Sequence, residues 1–185
     1  MPDPPVNVRP LQSEDIPAIY VAFKSAGWHR NPYQLEGYLD QQRTGERAVL
    51  VAYLDAEFAG CVTVKWRSDY PHFAGNGIPE IVDLNVMPPF QRRHIATALM
   101  DRAEALISQR SEIVGIRVGL FSDYGPAQRM YVLRGYVPDG RGVYYRDRQV
   151  KRLQVLPVDD DLVLYMVKRR DLAGRTYGQG FHPHP

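Results

Sequence analysis

A single α/β domain is the fold class this sequence predicts, on three observations. Apolar runs of strand length alternate with segments of helical periodicity. The clearest unit is Ile81 to Val86, a strand-like run that ends at Pro88-Pro89 and passes a short basic loop. It then enters a helix in which Ile95, Leu99, Ala103 and Leu106 share one face. The same strand-then-helix order returns at Ile113 to Phe121. Finally, 185 residues suffice for one substantial core, and no internal repeat divides them.

Taken in order, Val6 to Arg9 reads as a short first strand. Ser13 or Asp15 can cap a helix through Ala18, Ile19, Ala22 and Phe23 that stops at Gly27. Trp28 to Tyr33 is a loop. Leu35, Tyr38 and Leu39 then mark a second helix ending near Gly45. Ala48 to Leu54 and Phe58 to Trp66 are strands joined by the short turn Asp55 to Glu57. Arg67 to Gly77 reads as a polar, aromatic loop ahead of the strand at Ile81. After Phe121, Pro126 suits the first turn of a helix through Ala127 and Tyr131, and Gly135 suits its C-cap. Val143 to Arg146 and Leu162 to Lys168 are strand-like, and the linker between them holds three consecutive aspartates, Asp159 to Asp161. Residues 1–173 are expected to form the domain. Residues 174–185, rich in Gly, His and Pro, are expected to be a flexible tail.

Charge and composition exclude several classes. With 23 basic against 21 acidic residues the formal charge is +2, which is not a nucleic-acid footprint. The single cysteine, Cys61, precludes an internal disulfide and lies in an apolar run, as a buried structural thiol would. No metal site is expected, the two His-Pro pairs of the tail notwithstanding. The N-terminus lacks a basic segment followed by an apolar stretch, and no run reaches membrane-spanning length. A cytoplasmic protein without a membrane partner is the expectation.

The loop after Val86 has its own chemistry. A tight loop feeding a helix N-terminus presents free backbone N–H groups and the positive end of the helix dipole, which together bind phosphate. Arg92 and Arg93 add positive charge there. The stretch Gln91-Arg92-Arg93-His94-Ile95-Ala96 resembles motif A of the GNAT superfamily of acyl-CoA-dependent N-acetyltransferases, [Q/R]-x-x-G-x-[G/A]. It matches at Gln91 and Ala96 and departs at His94, where glycine is usual. Downstream, Ala127, Tyr131, Gly135 and Tyr136 fall in register with motif B, N-x-x-A-x-x-x-Y-x-x-x-G-F, while Tyr124 stands where asparagine is common. The resemblance covers roughly residues 48 to 145.

The resemblance implies the GNAT fold, a mixed central sheet of six to seven strands flanked by about four helices, and acetyl-CoA as cofactor. Pantetheine would pair with the backbone of Leu84, Asn85 and Val86. The pyrophosphate would rest on the amides of Arg92, Arg93, His94, Ile95, Ala96 and Thr97, and Gln91 and Ala127 would be further cofactor-binding residues. Tyr131 is the candidate acid for the departing thiolate, since a phenol with a pKa of about 10 can hydrogen-bond the sulfur and protonate it. A base is required because a primary amine arrives protonated. Glu80 has the spacing of the catalytic glutamate in the histone-acetylating branch. Asp83 is the other candidate and points to the opposite face by strand alternation. Either could pair with an arginine instead, and a water chain could replace both.

The acceptor would be a primary amine of a small molecule or a peptide. Aromatic walls suit a cationic amine, and the regions that build the acceptor side in this fold supply Trp28, Tyr33, Trp66 and Tyr144, with His29, Arg30, Tyr70, His72 and Tyr145 nearby. The alternative is a catalytically silent acyl-CoA-binding sensor or interaction module. His94 and the undetermined base favour it, and Tyr131 argues against it. A nucleotide-binding enzyme is disfavoured, because the chain has neither a Walker lysine followed by Ser or Thr nor G-x-G-x-x-G. The sequence leaves a homodimer open.

Overall fold

The computed structural model describes residues 6–28 and 32–170, with the side chains of Pro32 and Tyr33 outside that description. The tail expected at residues 174–185 therefore lies outside the described residues, as do His29 and Arg30. Among the described residues eight strands form one sheet: β1 (Asn7–Pro10), β2 (Arg47–Leu54), β3 (Glu57–Lys65), β4 (Glu80–Val86), β5 (Ile113–Gly119), β6 (Val137–Tyr145), β7 (Arg148–Gln149) and β8 (Leu162–Arg169). Their spatial order is β1-β2-β3-β4-β5-β8-β6-β7. Among the described residues five α-helices accompany them: α1 (Ile16–Ser25), α2 (Pro32–Arg43), α3 (Pro71–Gly75), α4 (Ile95–Ile107) and α5 (Gly125–Leu133). Among the described residues no helix is long and apolar enough to cross a membrane.

The sheet is mixed, as expected, but slightly larger. The additional strand is β7, two residues that fold back on Tyr144 and Tyr145. The additional helix is α3, inside the segment read as loop, where Pro71 opens the first turn. β6 begins at Val137, earlier than its apolar run suggests, and an irregularity between Pro138 and Val143 interrupts its pairing with β8.

Alternation along the strands gives the sheet two buried faces. On one face α4 lays Ile95, Leu99, Met100 and Ala103 onto Leu50, Val62, Ile81, Val114 and Ile116, and α5 adds Tyr131. Leu99, Met100 and Ala103 are fully buried, so a Leu99→Ala cavity would cost on the order of 2–5 kcal/mol. On the other face Ile19 and Phe23 of α1 and Leu35 and Leu39 of α2 cover Val49, Val51 and Cys61. Further along that face Tyr70 and Phe73 pack on Val163 and Tyr165. A side chain at Gly115 would lie 2.2 Å from the Phe73 ring, so only glycine lets α3 close on β5.

Two charged clusters tie distant segments together. The Asp15 carboxylate accepts from Arg9 at 2.7 and 2.6 Å, from the Tyr53 hydroxyl at 2.7 Å and from the Gln12 N–H at 2.8 Å. Burial pushes its pKa up, but these donors outweigh burial and hold it below the usual carboxylate range. Glu104 on α4 accepts from Arg134 at 2.9 Å, from Lys168 at 2.7 Å and from the Tyr136 hydroxyl at 3.1 Å, and is held down in the same way.

Candidate active site

β4 and β5 run parallel but pair only at Glu80–Gly115 and Ile81–Ile116. Beyond that vertex they separate, and a change of register in β4 shows why. Thr63 pairs with Val82 and Cys61 with Asn85, so β4 has one residue more than β3 over this stretch. The extra residue is accommodated by Asp83, whose φ of 54° lies in the left-handed region. The bulge drives the Asn85 carbonyl to within 2.4 Å of where a side chain on Gly60 would start. The result is a V-shaped opening with Leu84, Asn85 and Val86 along one arm and Arg117 to Gly119 along the other.

Past the opening the chain makes a 3-10 turn at Pro88–Phe90, and Arg92 and His94 adopt φ values of 61° and 60°. His94 is the N-cap of α4 and provides no side-chain cap hydrogen bond. The first-turn N–H groups of α4 therefore have no side-chain cap, and exposed Arg92 lies just ahead of them in the chain. Ile95 is buried and can offer a ligand only its backbone.

Tyr131 lies on the α4 face of the sheet, 5% exposed, with its ring 5.9 Å from that of Tyr136. Its hydroxyl makes no hydrogen bond among the described residues. Burial, and secondarily Tyr124, raises its pKa, so the phenol keeps its proton. Tyr124, in the usual asparagine position, covers Gly119 and donates to Asp160 Oδ1 at 3.0 Å.

Glu80 stands at the vertex on the opposite face, 4% exposed. Its Oε2 accepts from the Ser68 hydroxyl at 2.5 Å. Burial raises its pKa, with Ser68, Arg117 and Lys65 acting against that. Asp83 does not point away from Glu80, as strict alternation predicts. The bulge turns it to the same face, where its Oδ2 accepts from Tyr38 of α2 at 3.1 Å.

The profile of the Acetyltransferase (GNAT) family matches residues 13–136. The chain belongs to the GNAT acetyltransferase family. No curated protein matches its sequence. Solved structures with this fold include the ribosomal-protein-alanine N-acetyltransferase of Brucella melitensis, at TM-score 0.65 and 14% identity over 88% of this chain and 99% of that one. Ard1 from Thermoplasma volcanium gives 0.63 and 18% identity over 89% and 97%. The PaiA N-acetyltransferase of Thermoplasma acidophilum, solved in complex with coenzyme A, gives 0.58 and 14% over 89% and 99%.

Against this GNAT frame the expected acceptor residues divide. Tyr144 lies edge-on to Tyr70 and Tyr165, with ring centroids 5.0 and 5.3 Å away, on the Glu80 face. Trp28 packs on Phe23 at 5.5 Å. The Tyr33 side chain lies outside the described residues. Trp66 is on the wrong face: it follows Lys65, which pairs with Glu80, and so packs on the α4 side beneath the Arg110 guanidinium at 4.1 Å. Tyr70, 2% exposed, is core and not cleft wall. Sequence reasoning missed Ser68, Tyr38 and Arg117. No spacing signals them, because each reaches the site through tertiary packing.

Proposed function

We propose that this GNAT enzyme transfers an acetyl group from acetyl-CoA directly to a primary amine of a small molecule or a peptide. The observation that carries the reading is the V-shaped opening with an uncommitted phenol on one face and a buried carboxylate at its vertex on the other. The residues present fit coenzyme A. The backbone of Leu84, Asn85 and Val86 would hold pantetheine, and Gln91 with the amides of Arg92 to Thr97 would hold the pyrophosphate, with Ala127 alongside. Bound acetyl-CoA supplies an activated acyl thioester.

The chain's own groups handle protons. Glu80, with its pKa raised by burial, takes one from the acceptor ammonium, directly or through water. Tyr131 holds a proton for the sulfur. Asp83, at the same face, is the second candidate base and an attractive contact for a cationic acceptor. The Brucella relative's name, a ribosomal-protein-alanine N-acetyltransferase, supports including peptide N-termini among the acceptors.

The test is thiol release from acetyl-CoA by the purified chain with a panel of alkylamines, polyamines, amino acids and short peptides with free N-termini. Amine-dependent release, with the acetylated product identified by mass, is the expected result. Calorimetric coenzyme A binding without turnover of any amine would favour the silent acyl-CoA-binding module. Absence of binding would reject the site altogether.

A further inference from the structure

The hydrogen bond behind Glu80 has a fixed sense. A serine hydroxyl has one proton and two lone pairs. Ser68 Oγ accepts from the Tyr70 backbone N–H at 2.9 Å, so its proton is free to go only to Glu80 Oε2, 2.5 Å away. Both side chains are buried, at 3% and 4% exposure, and the bond is shielded from competing water. Oε1 makes no hydrogen bond among the described residues. The only fully sealed side-chain polar atom without a partner there is Gln41 Oε1, so Glu80 Oε1 is not fully sealed.

We propose that Ser68 is a positioning residue that orients Glu80 and keeps it a proton acceptor, fixing Oε2 so that Oε1 is the oxygen presented to the acceptor. This rests on the reading of Glu80 as the base. The hydroxyl donates to the ionised carboxylate and stabilises it against the surrounding burial. The other groups facing Glu80 are Lys65 of β3 with Asp69 just after it, Arg117 of β5, and Tyr165 of β8. Arg117 is shared with Asp147 at 3.7 Å and is half-exposed, and Lys65 bridges Asp69, so neither cation is dedicated to Glu80. Ser68 is the direct, buried donor.

Two measurements test this on the whole chain: NMR titration of the Glu80 carboxyl carbon, assigned by its loss in Glu80→Gln, and the pH dependence of kcat/KM with acetyl-CoA and the best amine of the panel. Ser68→Ala should move the carboxyl midpoint and the acidic limb of the rate profile upward together, by about one to two pH units, as loss of a hydrogen bond to a charged group implies. Ser68→Thr, which keeps the hydroxyl, should restore both. A merely structural serine would lower the rate equally at all pH values and leave the midpoint in place, and that result overturns the proposal. If Glu80→Gln itself keeps the acidic limb, the base reading fails, whatever Ser68→Ala does to the carboxyl.

Discussion

His94 holds a left-handed backbone, φ 60° and ψ 13°, at the position where the family's loop usually has glycine. For an L-residue that conformation costs about 1–2 kcal/mol. Glycine adopts it freely but loses more entropy on folding. His94→Gly should therefore stabilise the protein by roughly 0.5–1 kcal/mol, read as a rise in thermal midpoint, and leave acetyl transfer within about tenfold. A larger loss of rate would assign the imidazole a role in catalysis. Tyr131 is the opposite case. Tyr131→Phe keeps the ring in its buried niche, so stability and coenzyme A affinity should hold. Single-turnover acetyl transfer should fall by roughly 10²–10⁴-fold if the phenol is the acid. Equal rates would reduce Tyr131 to a packing residue. The need for a special backbone at His94 was legible from the glycine it replaces. The side on which Asp83 emerges was not, because one inserted residue reverses the alternation that a strand otherwise imposes.

At the scale of elements, the β4-loop-α4 unit gathers the groups proposed to bind the pyrophosphate. Its helix supplies uncapped N–H groups and Arg92 and Arg93 supply charge. Arg93 already approaches the Phe90 ring at 6.0 Å. Replacing both arginines with alanine should weaken coenzyme A binding by about 1–3 kcal/mol in calorimetry. Unchanged affinity would remove them from the pyrophosphate site. This unit was readable because a strand, a punctuating Pro-Pro and a helical period are all local. β7, α3 and the early start of β6 were not, because two-residue pairing, a five-residue helix and a polar edge strand leave no hydrophobic period. Trp66 shows the same limit: an aromatic in a plausible loop says nothing about which face receives it.

The molecule as a whole is fastened by carboxylates held below their ordinary range. Asp15 joins β1, α1 and β2, and Glu104 joins α4 to the start of β6 and to β8. Both groups titrate lower folded than unfolded. The stability they lend is complete above the ordinary carboxyl value near pH 4 and is lost as pH falls through their folded values. The urea midpoint should therefore drop as pH falls below about 4, and Asp15→Asn should flatten that drop while lowering the plateau above it. An unchanged slope in the variant would show that Asp15 does not carry the acid sensitivity.

The narrow vertex of the V also has a dynamic consequence. Among the described residues only Glu80–Gly115 and Ile81–Ile116 pair β1-β2-β3-β4 with β5-β8-β6-β7, so the sheet is two half-sheets laced at one point, with the α4-side core spanning both. Such an arrangement opens in pieces. Amide exchange should report two cooperative blocks, and those amides of Leu84 to Val86 and Arg117 to Gly119 that face the gap should exchange ahead of either block's interior. A ligand lying in the gap would act as the absent central strand. Coenzyme A bound as proposed should then slow exchange on both arms at once and merge the two blocks into one, completing the sheet.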